Sequence, residues 1–172
     1  NYKQYNYLEN LINQKLKELN SIFSTYDYNS EISKINFSNS NNFIISNELK
    51  YVLDKSIYYS YLSDGLYDPT VYPLVDLWGF GPTRIDSIPS INDINLVLSH
   101  ISYKNLSLSG NNLVKLNENS FIDLSSIAKG YAVDQITNML LNEGYKNFMI
   151  EIGGEVRCVG SNDSNNWVIG II

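Results

Sequence analysis

Apolar residues between Tyr7 and Phe23 fall at Leu8, Leu11, Ile12, Leu16, Leu19, Ile22 and Phe23, with Lys and Glu on the opposite side. That spacing predicts an amphipathic helix. A polar, aromatic-bearing turn follows from Ser24 to Glu31, then a short helix from Ser30 to Asn36. Turn formers from Asn39 to Asn42 lead into an extended Phe43-Ile44-Ile45. Ser46 caps a second long helix, which buries Leu49, Val52, Leu53, Ile57 and Tyr61 and ends at Ser63-Asp64-Gly65. Ser90 with Asp93 three residues on reads as a capping box before a helix through Leu98. Leu106-Ser107-Leu108 and Leu113 to Leu116 alternate across Ser109-Gly110-Asn111-Asn112, which predicts a β-hairpin. Near the end come Phe148 to Ile152, a Gly153-Gly154 break, Val156 to Val159, and a last strand over Trp167 to Ile172. Hairpins mixed with helix-linked strands predict an α+β fold, a largely antiparallel sheet with flanking helices. With no repeats or linker, residues 1–172 read as one partial domain.

Two stretches do not reduce to that pattern. Leu66 to Pro82 is punctuated by prolines and glycines and carries Tyr67, Tyr72, Trp78 and Phe80, so no long regular element fits there. It is either a rigid pocket wall suited to a flat ring system or a packed surface loop. The second stretch organises the chain. Phe121-Ile122 reads as the end of a buried strand, Ser125 and Ser126 are N-cap types, and a helix follows with Ile127, Tyr131, Ile136, Met139 and Leu140 until Gly144 stops it. A strand feeding a helix this way aims backbone N–H groups and a positive dipole end at one point, an anion site suited to pyrophosphate. Asp123 would add a carboxylate there and Lys129 a cation. The plainer alternative is a strand–turn–helix with a buried Asp cap and a solvated Lys.

Composition narrows the chemistry. The net charge is −6 with no block of Lys or Arg, so the chain lacks the basic face that a nucleic acid requires. A small phosphorylated ligand needs only a few donors. Cys158 is the sole cysteine, which excludes an internal disulfide and a cysteine-built zinc site, and it reads as a small core residue. His100 is the sole histidine and follows an apolar helix end, so Ser-His-Asp and His-metal chemistries have poor support. Catalysis would rest on carboxylates, backbone groups and a hard cation. Asp134 reads as a solvated or structural carboxylate. The chain begins without Met, which fits a mature form whose leader is gone.

Four ordered blocks carry a resemblance to a known family. They are Ser24-Thr25-Tyr26-(x)3-Ser30-Glu31-Ile32-Ser33; Asp64 through Gly81; Asp123 through Asp134; and Ile152-Gly153-Gly154-Glu155-Val156. Together they resemble the ApbE family of flavin transferases, with its T-fold-like architecture. The resemblance implies an enzyme that uses magnesium to cleave FAD at its pyrophosphate. It would transfer FMN to a Thr or Ser hydroxyl of an acceptor protein and release AMP. It further implies that Tyr26, the turn Leu66-Tyr67-Asp68, Asp123 and Lys129 contact FAD, and that Ser126 offers its backbone carbonyl to Mg2+. The acceptor would belong to a membrane redox complex. The protein would be exported, periplasmic or held on the outer face of the cell membrane, with room for a lipid anchor outside this chain.

Three family features find no match in this sequence: an N-terminal Met-Gly-Thr strand, a His-x-x-Asp-Pro segment, and the Asp and Thr side-chain ligands of the metal. The chain therefore reads as shortened at both ends, with the apolar run at Trp167–Ile172 pointing to a polypeptide that continues. One metal contact remains, so the piece on its own is expected to hold magnesium weakly and to be inactive. An FAD pyrophosphatase giving FMN and AMP, and a non-catalytic flavin-binding module, are the alternatives.

Overall fold

A computed structural model describes residues 2–83 and 87–170. The chain divides into two compact units, one of Asn1–Lys17 with Ile127–Ile172 and one of Glu18–Ser126. The elements in order are α1 (Tyr2–Phe23), α2 (Glu31–Asn36), β1 (Asn42–Ile44), α3 (Asn47–Leu62), α4 (Tyr72–Leu77), α5 (Ile91–Leu98), β2 (Leu106–Ser109), β3 (Asn112–Lys115), α6 (Ser125–Asn142), β4 (Phe148–Ile152) and β5 (Glu155–Val159). The result is the expected α+β mixture, with both small sheets antiparallel. Among the described residues no helix is long and apolar enough to cross a membrane.

In the Glu18–Ser126 unit, three strands pair in the order β1-β3-β2. The middle strand is held on both sides, with Leu113 opposite Phe43 and Leu108. Leu113 is fully buried, as are Ile32, Leu49 and Leu53 from the helices. Side-chain hydroxyls start three of the described helices. Ser46 caps α3 and both hydrogen bonds of the α5 capping box form, as expected, and Ser30, read as the first residue of α2, is its cap. The end of α3 is a left-handed turn with Asp64 at φ 52° and Gly65 at φ 82°. There the Gly65 N–H donates to the Ser60 carbonyl at 2.8 Å and the Asp64 N–H to Tyr61, the Schellman pattern. The proline-rich stretch holds one short helix, α4, which sequence reasoning did not single out. Pro73 fits its first turn and Gly79, at φ 78°, closes its end.

The Asn1–Lys17 and Ile127–Ile172 unit packs β4, β5 and most of α6 around Val133, Ile136, Leu140 and Ile150, with Leu8, Ile12 and Leu16 from α1 against them. Helix α6 ends in a second Schellman turn. The Tyr145 N–H donates to Leu140 and the Gly144 N–H to Leu141, with Gly144 at φ 87°. Gly153-Gly154 is a two-residue hairpin turn, with φ 60° and 98° at its two glycines. Cys158 is half-buried on β5 rather than a core residue. Asp134 pairs with Arg157 at the surface.

Two expected strands do not form. Residues 166–170 carry no regular structure, because no described strand lies alongside to take their backbone groups. Ile171 and Ile172 of that expected strand lie outside the described residues. Phe121-Ile122 makes only an isolated parallel bridge, Phe121 to Val71. Its neighbours are satisfied piecemeal, by the Asn36 side chain and by the Pro69 carbonyl, which accepts from the Asp123 N–H at 2.8 Å.

Candidate active site

The first block folds into a loop that presents a tyrosine. The Ser24 carbonyl accepts from the hydroxyls of Ser30 at 2.6 Å and Ser33 at 3.1 Å, both buried. Glu31 accepts from the Ser46 N–H and hydroxyl at 2.7 and 2.6 Å, tying α2 to the start of α3. Tyr26 stands out from this frame, 63% exposed as a residue, and its hydroxyl donates to the Phe80 carbonyl at 2.6 Å. One edge of the ring is thus pinned while a face stays open.

The second block supplies a wall. After α4 the chain doubles back, so that Asp76 accepts from the Thr83 N–H at 3.0 Å and the Thr83 hydroxyl at 2.6 Å. Tyr72 is buried and stacks on Phe121 at 5.9 Å, with Phe37 edge-on to both. With Tyr28, Pro73, Leu77 and Val97 these side chains line a pocket of about 350 Å³. Burial, then the charges of Asp76 and Asp123, push the Tyr72 phenol up to about 12. The pocket-wall reading of this stretch therefore holds at Tyr72, Pro73, Asp76 and Leu77. Sequence reasoning had named none of those four as site residues. A Pro in the first turn and a Gly just past the last were the available signals for the helix that carries them.

The Leu66-Tyr67-Asp68 turn divides its roles. Leu66 is 95% exposed. Asp68 faces inward: one carboxylate oxygen accepts from the Thr70 N–H and hydroxyl at 2.8 and 2.6 Å, the other from the Tyr103 N–H at 2.7 Å. Its carboxylate shapes the turn, and the N–H groups of Leu66 and Tyr67 are taken by the Ser63 carbonyl at 3.1 Å and hydroxyl at 3.0 Å, which leaves the Leu66 side chain open to a ligand. The Tyr67 hydroxyl donates to Ser56 at 3.2 Å and accepts from the Ser126 hydroxyl at 3.4 Å. Two expected site residues far apart in the chain, Tyr67 and Ser126, are thereby brought together.

Asp123, only 5% exposed, accepts from the Ser125 N–H at 2.7 Å and so caps α6. The serines expected as caps lie inside the first helical turn instead, exposed to solvent. A carboxylate is the better cap here because it answers the positive helix end as well as the orphan N–H. One backbone donor that an anion would have used is thus already committed. In the other unit, Lys129 lies exposed on α6, 3.2 Å from Glu155 and donating to the Gly153 carbonyl at 3.3 Å.

Magnesium requires about six oxygen ligands in near-octahedral array. Among the described residues no group of three or more His, Cys, Asp or Glu side chains is arranged to hold a cation. The described side chains do not compose a magnesium site by themselves.

These residues sit on an α+β fold of helices and two small antiparallel sheets. The sequence model of the ApbE family matches residues 1–172, and the chain belongs to that family. It is 39% identical over 167 residues to an FAD:protein FMN transferase of Vibrio cholerae, covering 95% of this chain and 50% of that protein. A Haemophilus influenzae FAD:protein FMN transferase is 36% identical over 164 residues, 91% of this chain and 47% of that protein. The solved flavin transferase ApbE of Vibrio cholerae superimposes with a TM-score of 0.93 at 38% identity, over 96% of this chain and 55% of its own. The apo flavinyl transferase ApbE of Pseudomonas stutzeri gives 0.89 at 30% identity, over 97% and 56%. The chain thus spans about half the length of the curated relatives it matches.

Proposed function

We propose that the protein containing this chain transfers FMN from FAD to a Thr or Ser hydroxyl of an acceptor protein. The observation that carries the reading is the 39% identity, across 95% of this chain, to an enzyme named for that reaction. In the step, the acceptor hydroxyl oxygen forms a phosphoester bond to the FMN phosphorus. The bridging P–O bond breaks, its electron pair leaves with AMP, and the hydroxyl proton passes to solvent. The acceptor brings the nucleophile, so no Ser-His or Cys-His pair is required of the enzyme.

Tyr26 offers an open ring face to the isoalloxazine, and the Leu66-Tyr67-Asp68 turn offers its backbone carbonyls. Asp123 holds the head of α6, and Lys129 offers a cation to phosphate. Magnesium is proposed as a requirement of the whole protein, with the Ser126 carbonyl as the contribution of this chain. Export, and an acceptor in a membrane redox complex, belong to the same proposal on the family resemblance alone.

The test mixes the full natural chain with FAD, magnesium and a Thr-bearing acceptor peptide, read by intact mass. A peptide that gains FMN, and fails to do so with a chelator, supports the transferase. Free FMN and AMP beside an unmodified peptide identify an FAD pyrophosphatase. Unchanged FAD leaves a binding module.

A further inference from the structure

Lys129 is held from three directions within its own unit. Its ammonium sits 3.2 Å from one Glu155 oxygen and donates to the Gly153 carbonyl at 3.3 Å. Its aliphatic stem crosses Gly153 so closely that a Cβ there would meet the lysine Cδ at 3.0 Å and Nζ at 3.5 Å. Gly153 and Glu155 both belong to the β4–β5 hairpin, whose two-residue turn with positive φ at both glycines fixes their geometry.

We propose that Glu155 is a positioning residue for Lys129, setting its ammonium for the pyrophosphate of FAD. The inference rests on the proposed function. An ammonium has three donors, and Glu155 and Gly153 take two, which leaves one for an incoming phosphate oxygen. A lysine on a helix surface otherwise samples many rotamers and loses that freedom when it binds. Clamping it beforehand removes the loss. The second Glu155 oxygen is buried without a donor, so the pair is not built for maximal stability. Both side chains are also partly exposed, at 47% and 35%, where an ion pair adds little to folding.

The test measures FAD affinity, by quenching of FAD fluorescence, and kcat in the full natural chain carrying E155Q, K129M or both. E155Q is expected to weaken FAD binding about tenfold, the scale of one charge-assisted hydrogen bond, with little change in kcat or thermal midpoint. The double variant is expected to bind no worse than K129M alone, because Glu155 acts through the lysine. Gly153→Ala, which pushes the same stem from the other side, is expected to weaken FAD binding too. Losses that multiply in the double variant overturn the proposal. So does unchanged affinity in E155Q or Gly153→Ala while K129M is impaired. Unchanged affinity in K129M removes Lys129 from the FAD site, and the proposal falls with that reading.

Discussion

The carboxamide of Asn36 stands in for a β-strand opposite Ile122. It donates to the Ile122 carbonyl at 2.8 Å and accepts from the Ile122 N–H at 2.7 Å, across 86 residues of sequence. Asn36 is 2% exposed and Ile122 fully buried, so neither backbone group has water to fall back on. Asn36→Ala is expected to cost about 2–4 kcal/mol, since two buried backbone groups lose their partner. Asn36→Asp keeps the acceptor but sets a buried carboxylate oxygen against the Ile122 carbonyl, and is expected to cost at least as much. Urea unfolding of the three proteins checks the order; equal midpoints would remove Asn36 from this role.

Gly81 is required by contact rather than by φ. A Cβ there would lie 2.3 Å from an Asp76 carboxylate oxygen and 2.8 Å from the Asp76 Cα. The second atom is backbone, so a side-chain rotation does not relieve the overlap. Gly81→Ala is therefore expected to destabilise by about 1–3 kcal/mol and to break the hydrogen bonds between Asp76 and Thr83. Thermal unfolding, with the amide shift of Thr83 as the local readout, measures both effects.

Tyr72 ties stability to alkaline pH. Its phenol is pushed up to about 12 by burial first and the Asp76 charge second, against an ordinary value of 10.0. Between those values the unfolded chain gives up the proton and the folded chain keeps it. The stability from this group is therefore fully present below pH 10 and lost as pH rises through about 12. Tyr72→Phe keeps the stack on Phe121, and is expected to remove one late tyrosine from the ultraviolet titration and this part of the alkaline loss. A titration with the same late component in Tyr72→Phe would refute the assignment.

Lys115 has the opposite sign. It is 1% exposed, donates to the carbonyls of Ile35 at 3.3 Å and Glu118 at 3.4 Å, and lies over the rings of Phe43 and Phe121. Burial lowers its pKa from 10.5, and the nearby Glu118 charge only partly offsets this. The folded chain then binds fewer protons than the unfolded one just below pH 10.5, so stability rises with pH in that window. Lys115→Met is expected to change stability by no more than about 2 kcal/mol and to abolish that rise. Unfolding free energies from pH 8 to 10.5 decide it; an identical slope in both proteins counts against the assignment.

Much of the fold was legible because local rules govern it. The spacing of Leu8, Ile12 and Leu16 predicted α1, Ser90 with Asp93 predicted the cap of α5, and Gly144 marked the end of α6. The hairpin at Gly110 followed from turn chemistry that involves only neighbouring residues, whereas Gly153-Gly154, read as a break between two extended runs, is the turn that pairs them. The ordered blocks carried the family in the same way, as residue types at fixed spacing.

Where the chain meets itself at long range, sequence reasoning ran out. Phe121-Ile122 has the apolar character of a strand, yet whether it pairs depends on what lies beside it, and that is the Asn36 side chain and the Pro69 carbonyl. Asp68 and Asp123 are both carboxylates in family blocks. Only the tertiary structure turns the first inward onto Thr70 and Tyr103 and sets the second on the head of α6. The sequence by itself determined the longer helices, the caps of α3 and α5, the Gly110 hairpin and the family, because those depend on residues within a turn or two of each other. The aromatic pocket, the Lys129–Glu155 pair and the orientation of each carboxylate were decided by tertiary structure. A side chain's partner there is chosen by packing between segments whose separation in sequence says nothing of their distance in space.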